Sequence, residues 1–197
     1  MSSAATPVLF IPALLCDEAL YSEVIDRLGA SIDAQVLISS KPTLQESVDE
    51  LLTRVPERFV LVGTSYGGNV AMQLALAAPE RVSALCLMGC NPEAAEPGGP
   101  DLAAALEAVP DVVIGKLAGV VVRSDDTAAV AAFKAMAGRI GGAVGAAQAR
   151  AVMGRQAVTS QLSALDMPSL VLWGAEDAAV PMAIGQKLAD ALPRSEF

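Results

Sequence analysis

Short apolar runs separated by segments of helical period constrain the fold of this chain more than any other feature. None of the runs alternates cleanly between apolar and polar residues, which is typical of strands buried on both faces of a sheet. A sheet buried in this way is parallel, and its strands are connected by helices. The runs lie at residues 8–11, 36–38, 59–62, 82–88 and 169–173. The pattern therefore predicts an α/β fold with a parallel sheet of about five strands, covered by helices on both faces.

Helix-boundary residues mark the segments between these runs. Thr43 and Glu46 form a capping box, and apolar residues follow them at helical spacing. Further helices are predicted over residues 20–28, after the third apolar run and after Pro181, a residue suited to the first turn of a helix. Each predicted strand except the fourth, at residues 82–88, is thus followed directly by a single helical segment.

The segment 91–166 breaks this rhythm. It opens with prolines and glycines typical of a loop and continues with alanine-rich stretches of helical character, and the next strand pattern starts only at Ser169. We predict helices over residues 102–108, 112–122, 127–140 and 143–158. We interpret the segment as a helical cap inserted into the fold, so that the core consists of residues 1–90 and 167–197 and the cap of residues 91–166.

Composition argues against several classes of partner. Thirteen basic and 22 acidic residues give a net charge of −9, the wrong sign for binding nucleic acid or an anionic membrane surface. The apolar stretches are too short to span a bilayer. The three cysteines lack the spacing of a metal site, so we expect ordinary reduced thiols and neither a metal nor an organic cofactor. No basic residue precedes Val8, which argues against a signal peptide and favours a cytoplasmic location.

Ser65 is the strongest candidate for a reactive group. It lies in the sequence Gly-Thr-Ser-Tyr-Gly-Gly at residues 63–68, directly after an apolar run and before a helical segment. A serine in G-x-S-x-G between a strand and a helix occupies a sharp turn that exposes its hydroxyl at the carboxyl end of the sheet. The segment has neither the glycine spacing of a dinucleotide-binding loop nor the lysine of a phosphate loop. The pattern favours a nucleophilic serine.

With this serine motif and the Pro-Ala-Leu-Leu-Cys-Asp loop at residues 12–17, the chain resembles the α/β-hydrolase family, in particular its small cap-bearing bacterial members. The resemblance extends over essentially the whole chain and implies a strand order of 2-1-3-4-5. It also implies that the backbone amides of Leu14 and Tyr66 form an oxyanion hole.

The resemblance extends to an acid after the last predicted strand. Asp177 lies in Gly-Ala-Glu-Asp at residues 174–177, similar to the family's Gly-x-x-Asp, and would orient a catalytic histidine. Glu176 and Glu93 are weaker candidates for the same role. An aspartate in this position is also common as a plain helix cap.

The chain contains no histidine, although the family's order of catalytic residues places one after the acid. We therefore expect a chain truncated before a terminal strand and helix that would carry this base. Such a chain would be inactive or nearly so, because nothing near Ser65 could accept its proton at neutral pH. We also expect strand 169–173 to be an exposed sheet edge through which the chain self-associates.

The resemblance implies hydrolysis of a small carboxylic ester or related acyl compound, with an apolar substrate bound under the cap. Phe133, Met136 and Met153 are candidate substrate contacts in the cap. A lactonase, an acyltransferase or a cofactor-free haloperoxidase would share the same constellation. A different class of function also stays open, since a hydrolase fold without histidine could bind a small apolar ligand without converting it.

Overall fold

The computed structural model describes residues 5–197 and shows a parallel six-stranded sheet in the order β2-β1-β3-β4-β5-β6. The predicted absence of a signal peptide rests partly on residues 1–4, which lie outside the described residues. The strands are β1 (Thr6–Ile11), β2 (Ile32–Val36), β3 (Phe59–Thr64), β4 (Val82–Met88), β5 (Ser169–Leu172) and β6 (Ser195–Glu196). The predicted parallel α/β fold is confirmed.

Eight α-helices accompany the sheet over the described residues. They are α1 (Ser22–Leu28), α2 (Leu44–Leu52), α3 (Tyr66–Ala77), α4 (Leu102–Ala108), α5 (Pro110–Val121), α6 (Thr127–Ile140), α7 (Gly142–Met153) and α8 (Met182–Ala191). Shorter 3₁₀ helices cover Glu18–Leu20, Gly29–Ser31, Pro79–Arg81 and Thr159–Ala164. The capping box holds the start of α2, because the Thr43 hydroxyl oxygen accepts a hydrogen bond from the Glu46 amide at 3.1 Å.

The prediction for the second strand was wrong. β2 lies at Ile32–Val36, before the predicted run at 36–38. It forms one edge of the sheet, where its side chains alternate between half-buried and exposed, so Asp33 and Gln35 conceal the strand in the sequence. Leu37 is buried because it enters the core just after the strand ends, and its amide donates to the Phe10 carbonyl.

The prediction that residues 169–173 form the sheet edge was wrong for Ser169 and Leu170, which pair with a sixth strand. β6 pairs with β5 in parallel register, Ser169 opposite Ser195 and Leu170 opposite Glu196. The Ser169 amide also donates to the Arg194 carbonyl at 2.9 Å. Two polar residues carry no strand pattern, which is why the sequence did not reveal this strand. The open edge of the sheet is therefore β6 together with the end of β5 that β6 does not reach.

Segment 91–166 contains α4 to α7 and, within the described residues, no strand. α4 and α6 have the predicted bounds. α7 ends at Met153, five residues before the predicted end at 158; Gly154 is its C-cap, and the chain then returns toward the core. In that return, the Val158 amide donates to the Pro92 carbonyl at 2.8 Å.

The two faces of the sheet are covered to different extents. α2, α3 and α8 pack on one face, in the largest apolar cluster. On the other face, Tyr21 and α1 cover β1 and β3, with the Tyr21 and Phe10 rings 4.8 Å apart. This cover does not extend to β5, where Leu170 and Leu172 are 38% and 45% exposed. None of the described helices is long and apolar enough to span a membrane.

The uncovered end of β5 generates a first prediction. We expect residues 1–197 to associate in a concentration-dependent way, since an apolar sheet face next to an open edge favours pairing between copies. Leu172→Lys should shift the chain toward monomer, measured by size-exclusion chromatography with light scattering. Val112→Lys is the matched control, because it places the same charge on a similarly exposed position of α5. A monomer at all concentrations, or equal effects of both variants, would contradict this expectation.

Candidate active site

Ser65 lies at a strained turn between β3 and α3. Its backbone has φ 54° and ψ −116°, a region that residues with a Cβ rarely occupy and that costs on the order of 1–3 kcal/mol. Two hydrogen bonds fix the turn. The Ser65 amide donates to the Met88 carbonyl at 2.8 Å, and the Asn69 amide donates to the Ser65 carbonyl at 3.0 Å. The strained serine is thus held at the carboxyl ends of β3 and β4.

The glycines around Ser65 allow α3 to lie against the sheet. A Cβ on Gly67 would overlap the Ile11 carbonyl group at the end of β1. A Cβ on Gly68 would lie 2.6 Å from the Cβ of Cys90, and one on Gly63 would overlap the start of α3. Any side chain at these three positions would force the helix away from the strands.

A cavity of about 930 Å³ lies between this turn and the cap. Ser65, Thr64 and Gly89 line it from the core, and aliphatic residues of α5 and α6 line it from the cap. Phe133 and Met136, two of the three candidate substrate contacts, are among the lining residues. Met153 is not; it is 47% exposed at the end of α7. The cavity is therefore mainly apolar, with the candidate nucleophile in its wall.

The two predicted oxyanion-hole residues flank the cavity and the serine. Leu14 lines the cavity, and Tyr66 follows Ser65 at the start of α3. Across the described residues, neither the Leu14 nor the Tyr66 amide donates a hydrogen bond to another protein group. The Tyr66 side chain is buried, and its hydroxyl lies 3.3 Å from the Ser47 hydroxyl. Burial raises the pKa of Tyr66, so this phenol stays neutral and serves packing.

The loop that carries Leu14 is held by the cap. Leu15 has a φ of 64°, and its amide donates to the side-chain oxygen of Gln148 in α7 at 3.0 Å. Asp17 accepts two hydrogen bonds from Arg139 of α6, from Nε at 2.6 Å and from Nη2 at 3.0 Å. The hydrogen bond from Arg139 is the main reason that the pKa of Asp17 lies below its usual value. Sequence reasoning missed Gln148 and Arg139, because no local pattern connects residues more than 100 positions apart.

Asp177 lies in the loop between β5 and α8, and its two carboxylate oxygens have different surroundings. Oδ1 accepts hydrogen bonds from the Ala179 and Val180 amides, both at 2.9 Å. Oδ2 lies 3.4 Å from the position that a Cβ on Gly89 would occupy, and it accepts no hydrogen bond from the described residues. Gly89 follows Met88, whose carbonyl accepts from Ser65. One oxygen thus holds the loop, and the other is left for a donor on the Ser65 side of the sheet.

The other two candidate acids are engaged elsewhere. Glu176 lines the cavity, but its carboxylate pairs with Arg123 at 3.0 Å, and both side chains are exposed. Glu93 accepts a hydrogen bond from the Thr159 hydroxyl at 3.1 Å, lies 3.8 Å from the Lys187 ammonium and does not line the cavity. Asp177 is the candidate whose position and free oxygen suit the orientation of a base. It does not cap α8, whose N-cap is Pro181.

The site lacks a general base. The chain contains no histidine, and Cys16, which lines the cavity, cannot replace one. Burial, followed by the neighbouring Asp17 charge, raises the pKa of Cys16 to about 12. The thiol is therefore protonated at neutral pH, and neither a thiolate nucleophile nor a cysteine–histidine pair is available in this chain.

Comparison with known proteins places this arrangement in context. A family model described as serine aminopeptidase, S33, matches residues 33–197. The pimeloyl-[acyl-carrier protein] methyl ester esterase of Nitrosomonas europaea is 39% identical over 64 residues, 32% of this chain and 23% of that protein. The enzyme of the same description from Pectobacterium carotovorum is 38% identical over 74 residues, 37% of this chain and 27% of that protein. The chain thus spans about a quarter of the length of these curated relatives.

Solved structures share the fold over nearly the whole chain. A thermophilic esterase from Thermogutta terrifontis superposes with a TM-score of 0.83 at 21% identity, covering 99% of this chain and 80% of that one. The enol-lactonase from Burkholderia xenovorans LB400 gives a TM-score of 0.86 at 16% identity, covering 99% and 82%. At these identities the likeness establishes the common fold.

The packing of α3 generates a second prediction. Gly67→Ala should lower the free energy of unfolding by about 1–3 kcal/mol, because the added methyl group overlaps the Ile11 carbonyl and the helix must move. Gly115→Ala in α5 is the matched control, since a Cβ there contacts nothing and an alanine in a helix gains about 0.5–1 kcal/mol. Urea unfolding of both variants measures the difference. Equal stabilities of the two variants would contradict the close approach of α3.

Proposed function

We propose that this chain, which belongs to the α/β-hydrolase family, carries the nucleophile, the acid and the substrate cavity of a serine hydrolase that acts on a small carboxylic ester. One observation carries the proposal. The strained Ser65 donates its amide to the Met88 carbonyl, and the free carboxylate oxygen of Asp177 lies beside Gly89, the next residue. Ser65 and Asp177 both line the same apolar cavity.

In the proposed reaction, the Ser65 hydroxyl oxygen attacks the acyl carbon of the ester. The carbonyl oxygen becomes an oxyanion, which accepts hydrogen bonds from the Leu14 and Tyr66 amides. Collapse of this intermediate breaks the bond to the alcohol, and the alcohol leaves with the proton that Ser65 lost. Water then adds to the acyl-enzyme and releases the carboxylic acid and free Ser65. The nucleophile and both oxyanion donors are thus assigned to residues of this chain.

The remaining group is the base that carries the proton. Asp177 would accept a hydrogen bond from an imidazole through Oδ2 and stabilise the imidazole's positive charge. Since the 197 residues contain no histidine, this base has to come from outside them. Without it, a serine hydrolase keeps only the roughly 10³- to 10⁴-fold acceleration over water that the oxyanion hole and binding provide. We therefore propose that the chain alone has little or no turnover.

The lining of the cavity favours a neutral substrate with an apolar acyl group. The charged residues among the lining are Arg123, Glu176 and Asp177, and Arg123 is already bound by Glu176 and by Asp125. The lining therefore carries an excess of negative charge, which disfavours anionic substrates. The ester and lactone substrates implied by the names of the similar proteins support an acyl compound of this kind. Acyl transfer, lactone opening or cofactor-free haloperoxidase chemistry would use the same residues.

A second candidate is a module that binds a small apolar ligand without converting it. The absence of histidine from the 197 residues favours this function. Both candidates predict a ligand in the cavity, so they differ only in whether Ser65 reacts once a base is present.

Chemical rescue by imidazole tests the proposal on the chain as it exists. We expect added imidazole to accelerate hydrolysis of p-nitrophenyl butyrate, because it can occupy the space beside Ser65 and Asp177 and act as the base. The rescued rate should rise with pH through about 6.5–7, as imidazole becomes neutral. Asp177→Asn should reduce it on the order of tenfold or more, since the bound imidazole loses its orienting partner. Glu176→Gln is the matched control and should leave it nearly unchanged.

The control for this experiment is Ser65→Ala, because imidazole itself slowly hydrolyses activated esters. Only the rate above that of Ser65→Ala counts as rescue. Rescue that survives Ser65→Ala would contradict the assignment of the nucleophile. Saturable ligand binding without any Ser65-dependent rescue would favour the binding module instead.

A further inference from the structure

We propose that Gln148, a residue of the cap, is a positioning residue that fixes the turn carrying the Leu14 amide. The inference rests on the proposed function, because it concerns the oxyanion hole of that same site. It adds a second role for the cap, which would then shape the catalytic loop of the core as well as cover the substrate.

Gln148 uses both ends of its side-chain amide. The side chain is almost completely buried, with 1% of the residue exposed. Its Oε1 accepts from the Leu15 amide at 3.0 Å, and its Nε2 donates to the Ser39 carbonyl at 3.2 Å. α7 is thereby tied both to the loop after β1 and to the segment after β2.

The turn that Gln148 holds is unfavourable for its own sequence. Residues 13–16 form a turn closed by a hydrogen bond from the Cys16 amide to the Ala13 carbonyl at 3.0 Å. Leu15 is its third residue and has a φ of 64°, whereas Leu14 has no positive φ. This is the requirement of a type II turn, in which glycine is preferred at the third position. A leucine there favours the type I turn, which differs by a flip of the Leu14–Leu15 peptide.

The hydrogen bond to Gln148 opposes that flip. Leu15 is fully buried, so its N–H needs a hydrogen-bond acceptor inside the protein. Gln148 is that acceptor only when the Leu14–Leu15 peptide has the orientation seen here. A flip would leave this N–H unpaired and reverse the peptide dipole attached to Leu14. Because this peptide adjoins Leu14, the proposed oxyanion donor, its flip would disturb the turn that holds the donor and change the field at the oxyanion.

Two further contacts show that the cap is shaped around this turn. Gly145, three residues before Gln148 in α7, leaves the space that the Leu15 side chain occupies, and a Cβ there would overlap Leu15. Arg139 of α6 binds Asp17, two residues beyond Leu15, through two hydrogen bonds. Leu15 and Cys16 accordingly belong to the apolar cluster of the cap.

The chemistry of the contact specifies glutamine. A methionine of similar size can neither accept from Leu15 nor donate to Ser39. An ionised glutamate can accept but cannot donate, whereas a protonated glutamate can do both. Burial raises the pKa of a carboxyl group above its usual value of about 4.3, so a glutamate at this position should switch between the two states as the pH rises.

Amide NMR spectroscopy and rescued kinetics together test the inference. In Gln148→Met, we expect the Leu14 and Leu15 amide resonances to shift and exchange of the Leu15 amide to quicken about tenfold or more. With imidazole present, kcat for p-nitrophenyl butyrate should fall about tenfold while KM stays unchanged. In Gln148→Glu, the Leu15 amide keeps an acceptor in both protonation states, so its exchange should stay slow and its resonance should titrate as the glutamate ionises, without moving to the Gln148→Met position. Gln156→Met, an exposed glutamine just after α7, is the matched control and should change none of these quantities.

Each outcome decides the inference. Unshifted Leu14 and Leu15 resonances in Gln148→Met overturn it, and so do shifted resonances with an unchanged rescued kcat; the proposed function survives in both cases. Absence of Ser65-dependent rescue in the unchanged chain overturns the proposed function and this inference with it. If Gln148→Met does not fold, the pH titration of Gln148→Glu replaces it, and resonances that do not titrate overturn the inference.

Discussion

The close approach of α3 to β1 and β3 is the constraint on which the rest of this structure depends. Three glycines permit it, because the space of their missing side chains is filled by the Ile11 carbonyl, by Cys90 and by the helix start itself. The approach leaves so little room that the chain turns from strand to helix within one residue, Ser65. That residue takes up the strain in its backbone, and a hydrogen bond to Met88 holds it. The hydroxyl of Ser65, the proposed nucleophile, is therefore placed by packing in the core.

The same approach determines the surroundings of the serine. Parallel strands end at one edge of the sheet, so the segments after β1, β3, β4 and β5 meet around the start of α3. They bring Leu14, Ser65, Gly89 and Asp177 to one cavity. The cap lines this cavity with aliphatic side chains and, through Gln148 and Arg139, also holds the loop after β1. The core and the cap thus contact the cavity and the loop after β1 from opposite sides.

Local features of this arrangement could be predicted from the sequence, and distant ones could not. Gly63, Ser65 and Gly67 predict a strand-to-helix turn because the three residues that it requires lie within five positions of the sequence. β2 was misplaced because an edge strand carries polar residues on its exposed face, such as Asp33 and Gln35. β6 was missed because Ser195 and Glu196 pair only through their backbone and have no apolar pattern. The role of Gln148 had no signal either, since its two partners lie 133 and 109 residues away.

Covalent labelling of the 197-residue chain with a fluorophosphonate, followed by peptide mapping, tests the central claim most directly. A fluorophosphonate reacts with a serine whose hydroxyl faces an oxyanion hole. The account predicts slow modification at Ser65, faster with added imidazole, and none at the other serines of the chain. Modification at a different serine, or modification that persists in Ser65→Ala, would contradict it.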